Sequence, residues 1–421
     1  MKIKLFLIGF FLCHLDAFSF GGIPVTWIGF FICILYSSSN RLMPFHALTT
    51  SFLFMLAVLT LSTILNWRKV IPSDYIAYRM ITLIGFFTIV NFISQYSLTS
   101  KSSEFLERHV VRIGVIIAYI SIFVFLLHAT GLGDLPRNRT GTGGFEQAII
   151  FSFEIGGQAH RALGTFREPS FLAMALVLPA IVALKNRQWR DFSLITISLY
   201  LTYSFGVVLA IIMGVMFTLI FSMDIRKLPM ALLTFGSVLL FSFPILSILL
   251  SNSILFQRFN HIASGGLTES SRGYVYENIN FIADNWLIGS GIGSFSFRLA
   301  ELLGIDYPVS VLNLFLSMLA NGGALSLASI LYWFFYPNFS MRRYRPHFAS
   351  REVFLLLLPL NMFFFLYLTS FEELHIWHAI SLGLILGRIR RIRCYIHQKT
   401  LLKRSLKNTI CFTTHKYSHS K

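Results

Sequence analysis

Apolar residues recur along the whole chain in runs of roughly 18 or more, the pattern of helices that cross a bilayer. Such runs predict spans at 3–20, 23–37, 45–66, 79–97, 110–131, 169–185, 190–204, 206–223, 229–250, 309–336, 352–370 and 374–388. Strict apolar–polar alternation is missing, which excludes a membrane β-barrel, and no solenoid-type repeat is visible. The expected fold is therefore all-α: a polytopic membrane bundle of about twelve transmembrane helices. The first run, "MKIKLFLIGFFLCHLDAF", has the basic start and short apolar core of a signal peptide. Its poor cleavage site and the polytopic remainder favour an uncleaved helix. The stretch "LYLTYSFGVVLAIIMGVMF" reads either as two helices meeting at a tight break near Ser204 or as one long bent helix.

Composition agrees with the pattern. Of 421 residues, 55% are hydrophobic and 13% charged, with a mean hydropathy of +0.68. Soluble domains carry about 25% charged residues, so the polar surface of a water-soluble protein is lacking. A soluble chain of this length would hold two or three domains; this one reads as one bundle over 1–387 with a basic tail over 388–421. The tail contains ten Lys or Arg and no acid. A basic run after a membrane helix marks the cytoplasmic face rather than a nucleic-acid site, and no nucleic-acid partner is expected. Cys13 and Cys33 lie in apolar runs and Cys394 and Cys411 in the tail, suggesting neither a disulfide framework nor a metal site.

Positive charge also orients the chain. Lys101 to Arg112, "KNRQWR" at 185–190, "DIRK" at 224–227 and "MRRYRPHFASR" at 341–351 fall on the tail's side of the membrane. Both termini are then cytoplasmic. One connection disagrees: "NWRKVIPSDYIAYR" at 66–79 is basic yet lands outside. Two long loops, 131–168 and 251–308, also face outward. Loops of that length are functional or disordered, and "AIIFSFEI" and "YVYENINFIADNWLIG" are amphipathic enough to lie at the interface above a cavity.

The first loop carries His160, Arg161, Arg167 and Glu168, followed by Pro169 and Ser170 at a predicted helix start. Two guanidiniums beside an outward helix N-terminus suit a phosphate-like anion. The alternative is that they snorkel to lipid headgroups, a reading that weighs more on Arg167, next to the span, than on Arg161. In the second loop Ser271 is a plausible N-cap, Val275, Ile279 and Ile282 recur at helical spacing, and Arg272, Tyr276 and Asn280 share another face. A cation in a first helical turn is mildly unfavourable unless an anion offsets it, so Arg272 is either a ligand group or an exposed arginine at a frayed end. Glu277 is either a general base or a solvated helix residue. Glu372, Glu373, His375 and His378 read as wetted hairpin residues that could instead line a cavity, and His261 is equally ambiguous. "GSGIGSF" follows a predicted helix rather than a strand, so it reads as a turn and not as a phosphate loop. Zinc-ligand spacing, a serine nucleophile elbow and a Walker loop are all missing.

Four segments, "RALGTFREPSFLAMAL", "LTYSFGVVLAI", "SRGYVYENINFIADNWLIGSGIGSF" and "NLFLSMLANGGALSL", occur in this order over roughly 155–330. Together they resemble the O-antigen polymerase and ligase superfamily, in which an Arg–x–x–Gly–Thr/Leu–Phe segment precedes a span. There an Arg-led helix later ends in a glycine-rich turn, and Asn–x–Phe/Tyr–Leu follows. The resemblance implies a GT-C-like membrane glycosyltransferase of lipopolysaccharide or exopolysaccharide biosynthesis in a bacterial inner membrane. Its donor would be an undecaprenyl-diphosphate-linked glycan, with no metal or other cofactor. A chain-length regulator and a flippase are the protein partners it suggests. It places Arg161, Arg167, Arg272, Tyr276 and Asn313 on the substrate, with Glu168 and Glu277 as candidate acid–base residues. Ligases of the superfamily tend to carry histidine just before that asparagine; here the position is Leu312. The expectation is therefore a polymerase, ahead of a ligase or a lipid-linked glycan transporter.

Overall fold

The computed structural model describes residues 2–38, 46–66, 71–139, 150–152, 158–222, 285–302, 313–344, 357–368 and 374–418, with Ile282, Gly304, Pro308, Val309, Glu352, Phe354 and Leu355. These hold twelve α-helices: α1 (Lys2–Leu12), α2 (Val25–Ser38), α3 (His46–Leu65), α4 (Ser73–Tyr96), α5 (Ser100–Ala129), α6 (Pro169–Lys185), α7 (Trp189–Leu201), α8 (Phe205–Ser222), α9 (Ser294–Leu302), α10 (Leu314–Tyr344), α11 (Leu357–Leu368) and α12 (Ile376–Ser418). Two small antiparallel hairpins accompany them, β1 (Ser19–Phe20) with β2 (Ile23–Pro24), and β3 (Ile150–Ser152) with β4 (Gln158–His160). In the bundle α1 packs on α2, α3 on α10, α4 on α12 and α8 on α11, while α6 lies against both α5 and α7.

Four helical segments are long and apolar enough to cross a membrane: Leu48–Leu65, Ser73–Tyr96, Ser100–Ala129 and Leu314–Met341. Helix α5 shows why the fold is a membrane bundle. Its outward residues are Ile116, Tyr119, Phe123 and Leu126, while Ser103, Glu107, Gly114 and Ser121 are buried. An apolar stripe facing outward with polar residues inward reverses the soluble pattern, because lipid is as apolar as the core.

The elements follow from local chemistry. Thr99 caps α5, its hydroxyl accepting from the Ser102 amide at 3.2 Å. Pro169 opens α6 where no amide partner is needed. The break between α7 and α8 resolves the choice left open by the sequence: two helices meet there, with Tyr203 at φ 47° and the Thr202 hydroxyl accepting from the Ser204 amide at 3.3 Å. Helices α1 and α2 touch through Gly9 and Gly29, where a Cβ on Gly29 would lie 2.5 Å from the Gly9 carbonyl oxygen.

Three features differ from the expected spans. Helix α1 ends at Leu12 rather than near residue 20, because His14 and Asp16 leave the helix to bind other segments (below). Helix α9 lies inside the second long loop, whereas the expected span 229–250 lies outside the described residues. Helix α12 runs on to Ser418 without a break at residue 388.

Contacts separate two ends of the bundle. At one, here the loop end, the α1–β1 turn meets residues 138–139 and 165–167. Asn66 and Tyr75, which flank the discordant basic connection, also lie there, beside Gly289 and Gly293. At the other, the basic end, Lys185 meets Glu107, Arg391 meets Ser97 and Ser100, and Arg393 meets Tyr336.

Candidate functional site

A cluster of guanidiniums around two aspartates occupies the loop end. Asp16, only 6% exposed, receives Arg167 through Nε at 2.8 Å and stands 3.6 Å from Arg139 Nη1. Arg139 also donates to the Asp16 carbonyl at 3.1 Å. Asp134 holds Arg137 through Nε on Oδ2 at 2.8 Å and Nη2 on Oδ1 at 3.0 Å, and His128 Nε2 lies 2.7 Å from the same Oδ1. Arg137 then reaches forward to the Phe166 carbonyl at 2.6 Å. The arginines thus tie the start of the first long loop and its end, just ahead of α6, to the turn after α1.

A second layer supports Asp16. His14 accepts from Trp377 Nε1 at 3.0 Å on Nε2, so its proton is on Nδ1, which donates to the Phe10 carbonyl at 2.8 Å. The Thr165 hydroxyl donates to the His14 carbonyl, and the Ala17 amide to the Thr165 carbonyl at 2.9 Å. The turn carrying Asp16 is therefore fixed from both sides.

Arg161 sits at the α7–α8 break. Its Nε donates to the Thr202 carbonyl at 3.1 Å, and the next amide, from Ala162, donates to the Leu201 carbonyl at 2.8 Å. Glu168 is the residue before α6, half-buried, and its carboxylate accepts from the Ser170 hydroxyl at 3.4 Å. Among the described residues of this end, Arg137, Arg139, Arg161 and Arg167 stand against Asp16, Asp134 and Glu168. Burial lowers the Arg139 pKa and the Arg167 charge lowers it further, while Asp16 and Tyr78 act the other way. A site whose cations disfavour one another gains from an added anion.

The sequence-predicted residues divide. Arg161, Arg167 and Glu168 all lie at the loop end, Arg161 on the α7–α8 break, Arg167 on Asp16 and Glu168 beside Ser170. The Arg167 side chain is committed to Asp16 and lies over the Phe171 ring, 5.5 Å from its centroid, rather than pointing only to lipid. Asn313 is the N-cap of α10: its Oδ1 accepts from the Phe315 and Leu316 amides at 2.9 and 3.1 Å, and Nδ2 donates to the Tyr367 carbonyl at 3.1 Å. Arg272, Tyr276 and Glu277 lie outside the described residues. Within "AIIFSFEI", expected to lie at the interface, the described residues Ile150–Ser152 form a strand paired with Gln158–His160.

The glycine-rich segment is a turn, as its position predicted. Gly289, Gly291 and Gly293 have φ of 83°, 91° and 80°. It docks on a break inside α10 at Gly323, whose φ is 66°. The Ser290 amide donates to the Ala320 carbonyl at 2.8 Å, Gly291 to the Asn321 carbonyl at 3.1 Å, Ile292 to Thr63 Oγ1 at 3.2 Å and Gly293 to Asn321 Oδ1 at 3.1 Å. These amides are consumed by protein oxygens, so no nest of free N–H groups faces a phosphate. The freed Ala324 amide donates to the Trp286 carbonyl at 2.6 Å. Non-helical backbone within a membrane helix is tolerated when neighbouring protein satisfies it.

Both long loops reach the first turns of α4. Tyr75 packs edge-on against Phe297, centroids 5.3 Å apart, and Tyr78 acts on the Arg139 charge. Sequence reading passed over Asp16, Asp134, Arg137 and Arg139. A signal for the first existed: Asp16 is the only acid before Asp74, and an acid within an apolar run marks a functional or paired site. Among the described residues, no group of three His, Cys, Asp or Glu could hold a metal ion. The chain matches no protein-family model and no curated protein sequence.

Proposed function

We propose that this protein is a polysaccharide polymerase of bacterial inner membranes. In this reading it transfers a growing glycan from undecaprenyl diphosphate onto another lipid-linked repeat unit. The loop end would face the periplasm and the basic end the cytoplasm, with about twelve spans in a GT-C-like bundle. The observation that carries the reading is the positively charged cluster of Arg137, Arg139, Arg161 and Arg167 at one end of an apolar bundle, beside the α6 N-terminus. Partly buried guanidiniums bind a diphosphate bidentately, which a point charge cannot do.

The chemistry is a substitution at an anomeric carbon. A sugar hydroxyl of the incoming unit attacks, the bond from that carbon to the diphosphate oxygen breaks, and undecaprenyl diphosphate leaves. Arginines stabilise the negative charge that grows on the leaving group. The hydroxyl proton passes to a carboxylate, Glu168 or Glu277. Arg161 and Arg272 are the assigned diphosphate ligands, with Arg167, Tyr276 and Asn313 placing the rest of the substrate.

Gene deletion followed by surface-glycan profiling tests the class. A polymerase mutant still attaches single repeat units to the surface acceptor. A ligase mutant attaches none and accumulates lipid-linked polymer. In a transporter mutant, lipid-linked units stay on the cytoplasmic face. Reporter fusions in 131–168 or 251–308 that report the cytoplasm would overturn the orientation and the proposal with it.

A further inference from the structure

A small, mostly apolar cavity with a few polar residues lies beneath the loop end, its wall including the Trp377 that donates to His14. Helices α6, α11 and α12 line a cavity of about 20 Å³, walled by Met174, Met362 and Phe365 and carrying Asn361, His378 and Ser381. Asn361 and His378 are each 3% exposed, so the histidine is no wetted hairpin residue.

The polar groups here are incompletely satisfied by protein. Asn361 Nδ2 has no hydrogen-bond partner among the described residues. The His375 amide donates to His378 Nδ1 at 3.1 Å, so a neutral His378 ring carries its proton on Nε2 as a donor. The Ser381 hydroxyl donates to the Trp377 carbonyl at 2.8 Å, leaving its oxygen as an acceptor. Burying an unpaired amide in an apolar setting is unfavourable, and lipid offers no water to relieve it.

We propose that this cavity is a built site for one ordered water molecule, bridging α11 and α12 behind α6. A water needs roughly 10–15 Å³ and two to four polar partners; the cavity has the volume, and Asn361, His378 and Ser381 are the polar residues of its lining. Water also matches the sense of the groups: its oxygen accepts from Asn361 Nδ2 and His378 Nε2, and one of its protons goes to Ser381 Oγ. A halide matches the two donors but has nothing for the serine oxygen. The inference is independent of the glycosyltransferase reading, because it concerns a site the proposed substrate does not occupy.

X-ray-generated hydroxyl-radical labelling of the full-length protein in detergent, in ¹⁸O-water with mass spectrometry, tests it. Radicals formed from a bound water label the side chains around it even where bulk solvent is excluded. Met174 (4% exposed) and Met362 (5%) should be labelled several-fold faster than the comparably buried Met318 (6%) and Met341 (3%). Asn361→Leu should abolish that excess. Labelling equal to the controls in wild-type protein overturns the proposal, whether or not the variant folds. Labelling that is low in chloride and rises in gluconate identifies a halide occupant and overturns it equally.

Discussion

The two ends of the bundle handle buried charge differently. At the basic end each described ion pair has one partner: Lys185 Nζ reaches both oxygens of Glu107 at 2.6 Å, and Arg388 is bound to Glu352. Of the other arginines there, Arg391 donates to the Ser97 and Thr99 carbonyls and Arg393 to the Tyr336 and Ser340 hydroxyls. At the loop end two aspartates are shared among several cations. The basic end is not fully satisfied: Glu107 also accepts from the Ser103 hydroxyl, and Arg388 Nε, Arg390 Nη1 and Arg391 Nε are buried without a hydrogen-bond partner among the described residues. The difference lies in sharing: at the loop end one carboxylate joins arginines from two separate segments, so its loss releases several cations at once, and on the proposed reading these are the cations a diphosphate meets.

The largest expected effect is on activity at the loop end. Arg161→Ala should lower chain growth by about two to three orders of magnitude, the loss typical of removing one preorganised donor to developing negative charge. Arg161→Lys should do nearly as badly. The readout is the surface-glycan ladder at equal membrane abundance; a normal ladder removes Arg161 from the site. Arg272→Ala should behave alike.

Next comes a test of stability at both ends. Asp16→Leu strands Arg139 and Arg167, and breaking such a buried pair is destabilising by about 3–5 kcal/mol. Glu107→Leu should act similarly through Lys185. The comparison sharpens in the double variants. Glu107→Leu with Lys185→Leu should recover most of its stability and keep chain growth, since an apolar replacement of a buried pair is often neutral. Asp16→Leu with Arg167→Leu should not recover activity. Thermal unfolding in detergent and the glycan ladder read the two quantities; restored polymer in the second double variant would make that pair purely structural.

Smaller effects calibrate the rest. Asn313→Ala should destabilise by about 1 kcal/mol through loss of the α10 cap, and Asn313→Asp should retain the cap. If Asn313→Asp lowers chain growth without loss of thermal stability, the amide serves substrate as well as the helix. Smallest is Arg298→Ala: its 2.9 Å pair with Glu301 is exposed, and such pairs contribute about 0–1 kcal/mol.

Most helices were legible in the chain because bilayer-length apolar runs leave few alternatives. The start of α6 at Pro169 was legible too, since proline acts locally; near Ser204 the sequence left a tight break and one long bent helix as alternatives. The cluster was less legible. Arg161, Arg167 and Glu168 stand out beside a span, but Arg137 and Arg139 look like ordinary loop residues until Asp134 and Asp16 are seen beside them. Asn313 carried a second signal: an asparagine before an apolar run is an ordinary N-cap, and the structure shows that cap beside whatever role the residue has toward substrate. His378 looked like a wetted hairpin residue because nothing local says that α11 covers it.

The sequence alone determined that the chain is an apolar helical protein suited to a membrane, where its strongest helix boundaries fall, and that positive charge collects in particular connections. Those are consequences of composition, local propensity and chain-local spacing. Tertiary structure alone decided that α1 stops at Leu12 so that Asp16 can meet arginines more than 120 residues away. It also decided that the glycine turn closes on a broken α10, and that Asn361 and His378 share one small cavity. Such pairings depend on which buried polar groups find each other once lipid has removed water as a partner, and no local pattern encodes that choice.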